Sequence, residues 1–395
     1  MTAAVRVPTR MLDVFLVAGE ESGDHLGAAL MRALREQTDG QVRFAGVGGR
    51  EMAAEGVTSL YSIDDLPIIG FSAIPRRAPK ILRLMRFTAK TVVQRRPDVL
   101  VVIDSPGFNR GIARRVRAAD PSIAIVEYVS PSVWAWRPGR ARVMRAYIDH
   151  ILALLPFEPE VHRRLNGPPC TYVGHPLAEK VQNLRPNAEE ASRRLASPPV
   201  LLVLPGSRIG EIERLLGVFA ETVAKVKDRV GPLEVVMPTA PHLLDRLKQA
   251  TVAWPISPRI VVEAAQKQAA FRIATAALAK YGTVTLELAL AGVPAVAAYR
   301  VSWLEFAVAR RTVKLSSAIL ANIVLGENAV PEFIQEDCTA DNLAAALVPL
   351  FSDTAERRRQ LEAFSRLDAI MQIGSSEPAA RAAEIVLEVV RRAKA

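Results

Sequence analysis

The sequence predicts an α/β protein with two Rossmann-like, doubly wound domains that face a cleft. The chain has 395 residues, enough for two ordinary domains, and half of them are hydrophobic, which is typical of packed globular proteins. Short apolar runs alternate with helical patterns, as in parallel sheets whose faces are covered by helices. The alternation stops over residues 176–198, where the chain becomes polar, and then restarts. We therefore predict an interdomain linker at this segment.

The first half of the chain contains five apolar runs that predict buried strands. The first is "LDVFLVA" (12–18), which ends at "GEESGD" and is followed by a helical pattern from Asp24 to Glu36. The other four runs are each followed by Gly, Pro or Ser and then by a helical pattern; they cover residues 42–47, 98–104, 122–129 and 150–157.

A helix with two unlike faces is predicted over residues 75–96. Its apolar residues share one face, namely Ile81, Leu82, Leu84, Met85, Ala89, Val92 and Val93. Its cations share the other face, namely Lys80, Arg83, Arg86 and Lys90. One interpretation is a core helix with a solvated basic face, and the other is a surface that contacts anionic lipid.

The second half repeats the β/α alternation from "PVLLVLPGSR" (199–208) onward. Further strands are predicted over residues 233–238, 270–276 and 293–299. We expect one domain over 1–180 and a second over 181–365. The helical segment 366–395 would pack back on the first domain or on a partner chain. In such sheets ligands bind beyond the carboxyl ends of the strands.

Composition excludes several other classes of protein. Two cysteines cannot form a disulfide framework and favour a reducing cytoplasm. No Asp-x-Asp pair and no metal-ligand spacing occur, so we expect neither a metal nor another cofactor. Asp13 interrupts the first apolar run, which argues against a signal peptide. Lys280 and Glu287 interrupt the most apolar stretch, 273–299, which argues against a transmembrane helix.

The net charge of +10 is concentrated in one part of the chain. Residues 76–145 contain 16 Lys and Arg against 4 Asp and Glu, which indicates an anionic partner near this segment. It includes "YVSPSVWAWRPGR", in which aromatic and basic side chains are compatible with nucleic acid, a membrane surface or an anionic ligand. Because this motif begins where a predicted strand ends, we expect Trp134, Trp136 and Arg137 to line the cleft.

Two loops of the second half have features of an anion site. Gly206, Ser207 and Arg208 lie between a predicted strand and a predicted helix, where free N–H groups and the helix dipole favour an anion. Gly282 would let a phosphate approach and Thr283 could donate a hydrogen bond. Glu287, one helical turn later, could accept from ribose hydroxyls. Each loop alone also fits an ordinary turn and helix cap, but both in one domain suggest a nucleoside diphosphate.

Carboxylates follow two predicted strands of the first half. Asp104 ends "DVLVVID", and Glu20 to Asp24 follow the first strand. A carboxylate at a strand end can serve as a general base, or it can cap the next helix.

The order of the motifs resembles the lipid-A-disaccharide synthase family over nearly the whole chain. The motifs that carry the resemblance are "VAGEESGDHLGA", "IDSPGFN", "YVSPSVWAWRPGR", "LPFE", "VGHPL", "LPGSR", "GTVTLELALAGVP" and "PEFIQEDC". The resemblance implies an inverting glycosyltransferase of the GT-B fold, peripheral on the cytoplasmic face of the inner membrane of Gram-negative bacteria. It would join UDP-2,3-diacylglucosamine to 2,3-diacylglucosamine 1-phosphate and release UDP. A homodimer is left open.

The resemblance also implies roles for individual residues. Asp104 would be the general base, and Glu20, Ser22 and Asp24 would lie at the acceptor side. Arg208 and Asn322 would contact the nucleotide, and Glu287 the ribose. The chain departs from the family pattern at three positions: Gly107 replaces the usual Asp, Tyr281 the usual Ser and Ala321 the usual Pro.

Two alternative functions remain at this point. The first is another UDP-sugar transferase or an epimerase of the same fold, which would act without an acylated acceptor. The second is a nucleic-acid-binding protein that uses the basic segment, and we expect no such partner because it leaves the two loops of the second half unexplained.

Overall fold

A computed structural model describes residues 11–63, 66, 74–301, 306, 317–373 and 377–394. The chain forms two compact units. Unit 1 contains residues 1–176 and 374–395, and unit 2 contains residues 177–373. Among the described residues, each unit has a parallel sheet of six strands with helices between them.

Unit 1 has the strand order β2-β1-β3-β4-β5-β6. The strands are β1 Leu12–Ala18, β2 Val42–Val47, β3 Val99–Ile103, β4 Ala124–Tyr128, β5 His150–Ala153 and β6 Cys170–Tyr172. The helices between them are α1 Glu21–Gln37, α2 Arg50–Ala54, α3 Ile74–Arg95, α4 Pro106–Ala119, α5 Gly139–Met144 and α6 Glu158–Arg164. Every residue of β1, β3 and β4 is buried, because helices cover both faces of the sheet.

Unit 2 has the strand order β12-β11-β10-β7-β8-β9. The strands are β7 Val200–Leu204, β8 Glu234–Pro238, β9 Arg259–Val261, β10 Ala276–Lys280, β11 Ala295–Tyr299 and β12 Glu332–Ile334. The helices up to β11 are α7 Leu177–Leu184, α8 Ala188–Leu195, α9 Ile209–Val230, α10 Leu244–Ala250, α11 Ala264–Ile273 and α12 Val284–Leu290. Those after β11 are α13 Leu320–Leu325, α14 Ala340–Leu347, α15 Ala355–Ser365 and α16 Leu367–Ile370.

The last helix of the chain, α17 Pro378–Lys394, belongs to unit 1. It packs against α1 and β4, and its apolar side chains complete the core on that face of the sheet. Lys394 at its end pairs with Asp98 at 2.8 Å.

The polar segment after residue 176 is helical in the structure. α7 and α8 are both part of unit 2, and α8 begins with a capping box between Asn187 and Glu190. The guanidinium group of Arg194 donates to four backbone carbonyls, those of Phe271, Arg272, Ala291 and Gly292. The segment is therefore helical rather than extended, and hydrogen bonds hold it against the rest of unit 2.

The predicted α/β class with two parallel sheets is confirmed, and one predicted strand is wrong. Residues 270–273 end helix α11, and the strand in this region is β10, which begins at Ala276. The run "AFRIATA" alternates apolar and polar residues, but so short a run also fits the last turn of an amphipathic helix. Three strands of three residues, β6, β9 and β12, were too short to produce a pattern.

Helix α3 confirms the predicted helix, with one correction on its apolar face. Met85, Ala89 and Val92 are buried as expected. The predicted placement of Leu82 on the apolar face is wrong, because Leu82 is 42% exposed and lies with the solvent-facing side chains. Phe87 is also exposed, at 49%.

Candidate functional site

In each unit the strand order reverses at one position, and polar loops lie there. The reversal falls between β1 and β3 in unit 1 and between β7 and β10 in unit 2. Loops on either side of such a position diverge at the carboxyl ends of the strands and leave a crevice for a ligand.

Unit 2 contains a cavity of about 550 Å³ at its reversal point. The cavity is lined by the loops after β7, β8 and β10 and by side chains of α7, α11 and α12. This volume is within the usual range for a small-molecule site. Five of the predicted residues line it, namely Gly206, Ser207, Gly282, Thr283 and Glu287.

The loop after β7 approaches the cavity through Gly206. Gly206 has φ +119°, which strains any other residue, and a Cβ there would lie 2.9 Å from Oε2 of Glu211. Helix α9 begins directly after this loop, with Arg208 as its N-cap residue. The Arg208 side chain is 65% exposed, pairs with Glu211 at 3.4 Å and is not among the cavity-lining residues.

The loop after β10 brings Glu287 to the cavity beside two lysines. Burial raises the pKa of the Glu287 carboxyl, and the nearby Lys180 and Lys267 oppose that rise. Gly282 has φ +156°, and its carbonyl accepts from Thr285 Oγ1 at 2.8 Å. A half-buried carboxylate with cations nearby is suited to accept hydrogen bonds from ligand hydroxyls.

Sequence reasoning missed three cations of this cavity: Lys180, Lys267 and Lys280. Lys280 is the last residue of β10, and its Nζ is 2.9 Å from Oε1 of Glu211. It was missed because the strand was predicted at 270–276, which concealed that Lys280 ends a strand. A correct strand boundary would have placed it beside Gly282.

Asn322 is not among the residues that line the cavity. It is 2% exposed, and its side-chain amide exchanges two hydrogen bonds of 2.9 Å with the backbone of Val330. Its neighbour Ala321 is fully buried. Tyr281 is buried too, and its ring stacks on Tyr299 with centroids 5.3 Å apart. In this structure Asn322, Ala321 and Tyr281 help to hold the loops around the site in place.

In unit 1 the loops after β1 and β3 place Ser22 against Asp104. Ser22 Oγ donates to Asp104 Oδ2 at 2.8 Å, and the backbone N–H of Ser105 donates to Asp104 Oδ1 at 2.8 Å. Asp104 and Ser105 both have positive φ, +54° and +47°. A Cβ on Gly19 would lie 2.4 Å from the Cβ of Ser105, so the close approach of the two loops requires glycine there.

The other predicted residues of the β1 loop have different surroundings. Asp24 is 3% exposed, and its carboxylate accepts from the backbone N–H groups of Gly49, Glu51 and Met52. It therefore caps α2. Glu20 is the half-buried N-cap residue of α1.

The two tryptophans have different roles in the structure. Trp134 Nε1 donates to Glu158 at 3.2 Å, and its ring packs edge-on against Phe157, so it is held in a small apolar cluster. The ring of Trp136 lies beneath the guanidinium groups of Arg137, at 4.6 Å, and Arg140, at 5.2 Å. Arg137 is exposed, and Trp136 beneath it is half-buried.

The departure at Gly107 leaves room on the first turn of α4. A Cβ there would meet no atom within 4 Å, so a side chain at this position would begin in open space. Among the residues that the structure describes, no group of three or more His, Cys, Asp and Glu is placed to hold a metal ion. Within the same residues no helix has the length and apolar character needed to span a membrane.

Comparison with known proteins gives consistent results in sequence and fold. The model of the family described as lipid-A-disaccharide synthetase matches residues 14–386. The chain is 58% identical to the lipid-A-disaccharide synthase of Nitrobacter hamburgensis, over 96% of both chains. It is 57% identical to that of Rhodopseudomonas palustris strain HaA2, over 99% of this chain and 100% of the relative.

Solved structures share the fold at low sequence identity. The UDP-GlcNAc 2-epimerase of Neisseria meningitidis bound to UDP-GlcNAc has a TM-score of 0.60 and 10% identity, over 96% of this chain and 100% of that one. The calicheamicin glycosyltransferase CalG4 has a TM-score of 0.57 and 17% identity, over 98% of this chain and 99% of that one. These likenesses show the GT-B fold, and the relatives above show the activity. The chain belongs to the lipid-A-disaccharide synthase family, the glycosyltransferases of lipid A biosynthesis.

Proposed function

We propose that the chain transfers the diacylglucosamine unit of UDP-2,3-diacylglucosamine to 2,3-diacylglucosamine 1-phosphate with inversion. The products are the β-1,6-linked disaccharide 1-phosphate and UDP. The observation that carries the proposal is the cavity of unit 2, where two glycine loops, a threonine and a half-buried carboxylate meet at the reversal point of the sheet. A solved structure of the same fold is bound to UDP-GlcNAc, which supports a UDP-sugar as the donor.

The donor nucleotide would bind with its two polar parts at the two loops. The diphosphate would lie at Gly206 and Ser207, where the dipole of the 22-residue helix α9 favours negative charge. The ribose hydroxyls would donate to Glu287. Charge that develops on the departing UDP would then meet N–H groups and cations already in place.

The acceptor hydroxyl would be deprotonated by Asp104. A positioned general base contributes roughly 10²–10⁴-fold to such a reaction. Ser22 and the N–H of Ser105 hold the carboxylate in one orientation through its two oxygens. Trp136 and Arg137 would contact the acceptor, whose phosphate is an anion. A single displacement by the activated hydroxyl inverts the anomeric carbon.

Both substrates have acyl chains, and α3 has the composition of a helix that contacts a membrane surface. Its exposed side chains include the cations Lys80, Arg83, Arg86 and Lys90 and the apolar Leu82 and Phe87. Apolar groups among cations favour the interface of an anionic bilayer. These features support contact with an anionic membrane surface, and the family resemblance is what suggests the cytoplasmic face of the inner membrane.

The direct test is incubation of the full chain with both acylated substrates, followed by mass spectrometry. We expect a tetraacyl disaccharide monophosphate and an equal amount of UDP, with the new linkage in the β configuration by NMR. Conversion of UDP-GlcNAc to its epimer without an acceptor would instead support the epimerase alternative. An α linkage would contradict inversion.

The Asp104→Asn variant tests the assignment of the base. We expect turnover to fall by about 10²-fold or more, because an amide cannot take the proton, while UDP binding is unchanged. The measurement is initial rate together with UDP affinity by calorimetry.

Asp39→Asn is the matched control, since Asp39 is an exposed residue with a similar positive φ of +49°. It should have wild-type turnover. An Asp104→Asn enzyme with more than about a tenth of wild-type turnover would remove Asp104 as the base.

A further inference from the structure

We propose that Lys280 binds the diphosphate of the donor nucleotide, and that Glu211 is an internal anion which the diphosphate displaces from Lys280. This inference rests on the proposed function, since it requires a nucleoside diphosphate in the cavity of unit 2. It adds a cation that lies just outside the motifs on which the family resemblance rests.

Lys280 lies between the two glycine loops of the cavity. Its Cδ is 3.6 Å from the position that a Cβ on Gly206 would occupy, and its Nζ is 4.0 Å from the corresponding position at Gly282. Its side chain is 16% exposed, and the residue lines the cavity. A phosphate that approached Gly282 would therefore meet this ammonium group, and the lysine side chain also passes beside Gly206.

The side chain of Lys280 is held in this place before any ligand arrives. Its Nζ is 2.9 Å from Glu211 Oε1 and 5.3 Å from the centre of the Tyr299 ring. Tyr299 is itself stacked on Tyr281, the residue that replaces the usual serine. The ammonium is thus preorganised by a carboxylate on one side and an aromatic pair nearby.

Glu211 occupies the space where a phosphate at Gly206 would bind. Its Oε2 lies 2.9 Å from the position of a Gly206 Cβ, and its Oε1 is shared between Lys280 and Arg208, the latter at 3.4 Å. The carboxylate is on the first turn of α9, where the helix dipole favours an anion. Two anions cannot occupy this volume together, so phosphate binding requires Glu211 to move away.

The exchange is favourable because the diphosphate has more negative charge and more acceptor oxygens than one carboxylate. Lysine binds phosphate as a compact point charge, and such charge-assisted hydrogen bonds are among the stronger polar contacts. In the free protein Glu211 prevents the poorly exposed ammonium from being left without a counter-ion. Glu211 thus keeps the site ready and competes weakly with the ligand.

The test compares uridine, UMP and UDP on the full chain, by calorimetry for UDP and by ligand-observed NMR for weaker binding. Lys280→Met should weaken UDP binding at least about tenfold and leave uridine binding unchanged. Lys280→Arg, which keeps the charge, should restore UDP affinity to within a few-fold. Glu211→Gln should tighten UDP binding by at least about threefold, because the competing charge is gone. Lys227→Met, on the exposed last turn of α9, is the matched control and should bind UDP as wild type does.

Each outcome distinguishes the inference from the proposed function. Wild-type UDP affinity in Lys280→Met overturns the role of Lys280 and leaves the proposed function standing. Weaker UDP binding in Glu211→Gln overturns the role of Glu211. Absence of UDP binding to the wild-type chain overturns both the inference and the donor half of the proposed function. If Lys280→Met does not fold, the double variant Glu211→Gln/Lys280→Met, which removes both charges of this pair and leaves only the exposed Arg208 without its partner, should show the same loss for UDP alone.

Discussion

Glu127 is a buried carboxyl residue in the middle of the unit 1 sheet, on β4. The charged or ionisable groups that interact with it are Arg140, Asp104 and Tyr147. Burial raises the pKa of Glu127 to about 8, against an ordinary value of 4.5. The charge of Arg140 opposes this rise, and the charge of Asp104 adds to it. Glu127 is therefore protonated in the folded protein at neutral pH.

This protonation predicts a pH dependence of stability. Between about pH 4.5 and 8 the folded state keeps a proton that the unfolded state releases, so the free energy of unfolding falls as pH rises. Glu127→Gln should remove this pH-dependent change in the free energy of unfolding, which is at most about 4–5 kcal/mol. Thermal unfolding should show that Glu127→Gln gains more stability relative to the wild type at pH 8 than at pH 5. The exposed Glu189→Gln is the control, and an equal gain at both pH values would contradict the prediction.

Gly19 provides a second prediction at the scale of single residues. An alanine there would place its Cβ 2.4 Å from the Cβ of Ser105, and the loop with Asp104 would have to move. We expect Gly19→Ala to lose at least about tenfold in turnover, because small displacements of a base are costly, while UDP binding in unit 2 is retained. Kinetics and UDP calorimetry measure the two effects.

The control for Gly19→Ala is Gly217→Ala in the middle of α9. A Cβ there meets no atom within 4 Å, so the change should stabilise the helix by about 0.5–1 kcal/mol and leave turnover unchanged. Wild-type turnover in Gly19→Ala would show that the loop tolerates the displacement.

The sequence predicted those site residues whose type and place in a motif both indicate a role. Gly206 and Gly282 were identified because a glycine between a strand and a helix permits a close approach of ligand to backbone that larger residues obstruct. The family resemblance placed Asp24 with Ser22 at the acceptor side, but only the structure shows that Asp24 caps α2. Lys280 required the correct end of β10, which a five-residue strand of alanine, leucine and lysine does not mark clearly.

At the scale of elements, α3 is the helix whose surface indicates a partner. Arg83→Glu/Arg86→Glu should release the protein from anionic vesicles in flotation or sedimentation, because each reversal replaces attraction with repulsion at the surface. Lys227→Glu/Arg229→Glu on α9 makes the same change of charge elsewhere and should leave vesicle binding intact. Unchanged vesicle binding in the α3 variant would contradict the membrane role.

The elements that sequence patterns predicted well are long or fully buried. β1, with seven buried residues, and α3, with 22 residues, have enough length for their periodicity to be distinct. Helix α11 and strand β10 lie close together in sequence, and the boundary between them was misplaced. Tertiary packing sets that boundary, since Ala270 and Phe271 are buried as part of the helix.

At the scale of the whole molecule, the excess of positive charge belongs to unit 1. The basic segment 76–145 covers α3, α4 and α5, and α3 packs against α4. We expect vesicle binding of the wild-type chain to weaken as salt is raised, as it does for polybasic surfaces. The two-sheet architecture was predictable because the β/α alternation occurs twice, and it set the position of both candidate sites through the strand order.

The assignment of α17 to unit 1 has a consequence for biosynthesis. A ribosome makes the chain from its first residue, so all of unit 2 is synthesised before residues 378–394 appear. Until then the nascent sheet of unit 1 lacks the helix that covers α1 and β4, and apolar residues such as Leu30 and Val126 are left without it. Unit 2 can therefore reach its native state first, and the unit that begins the polypeptide is the last to finish folding.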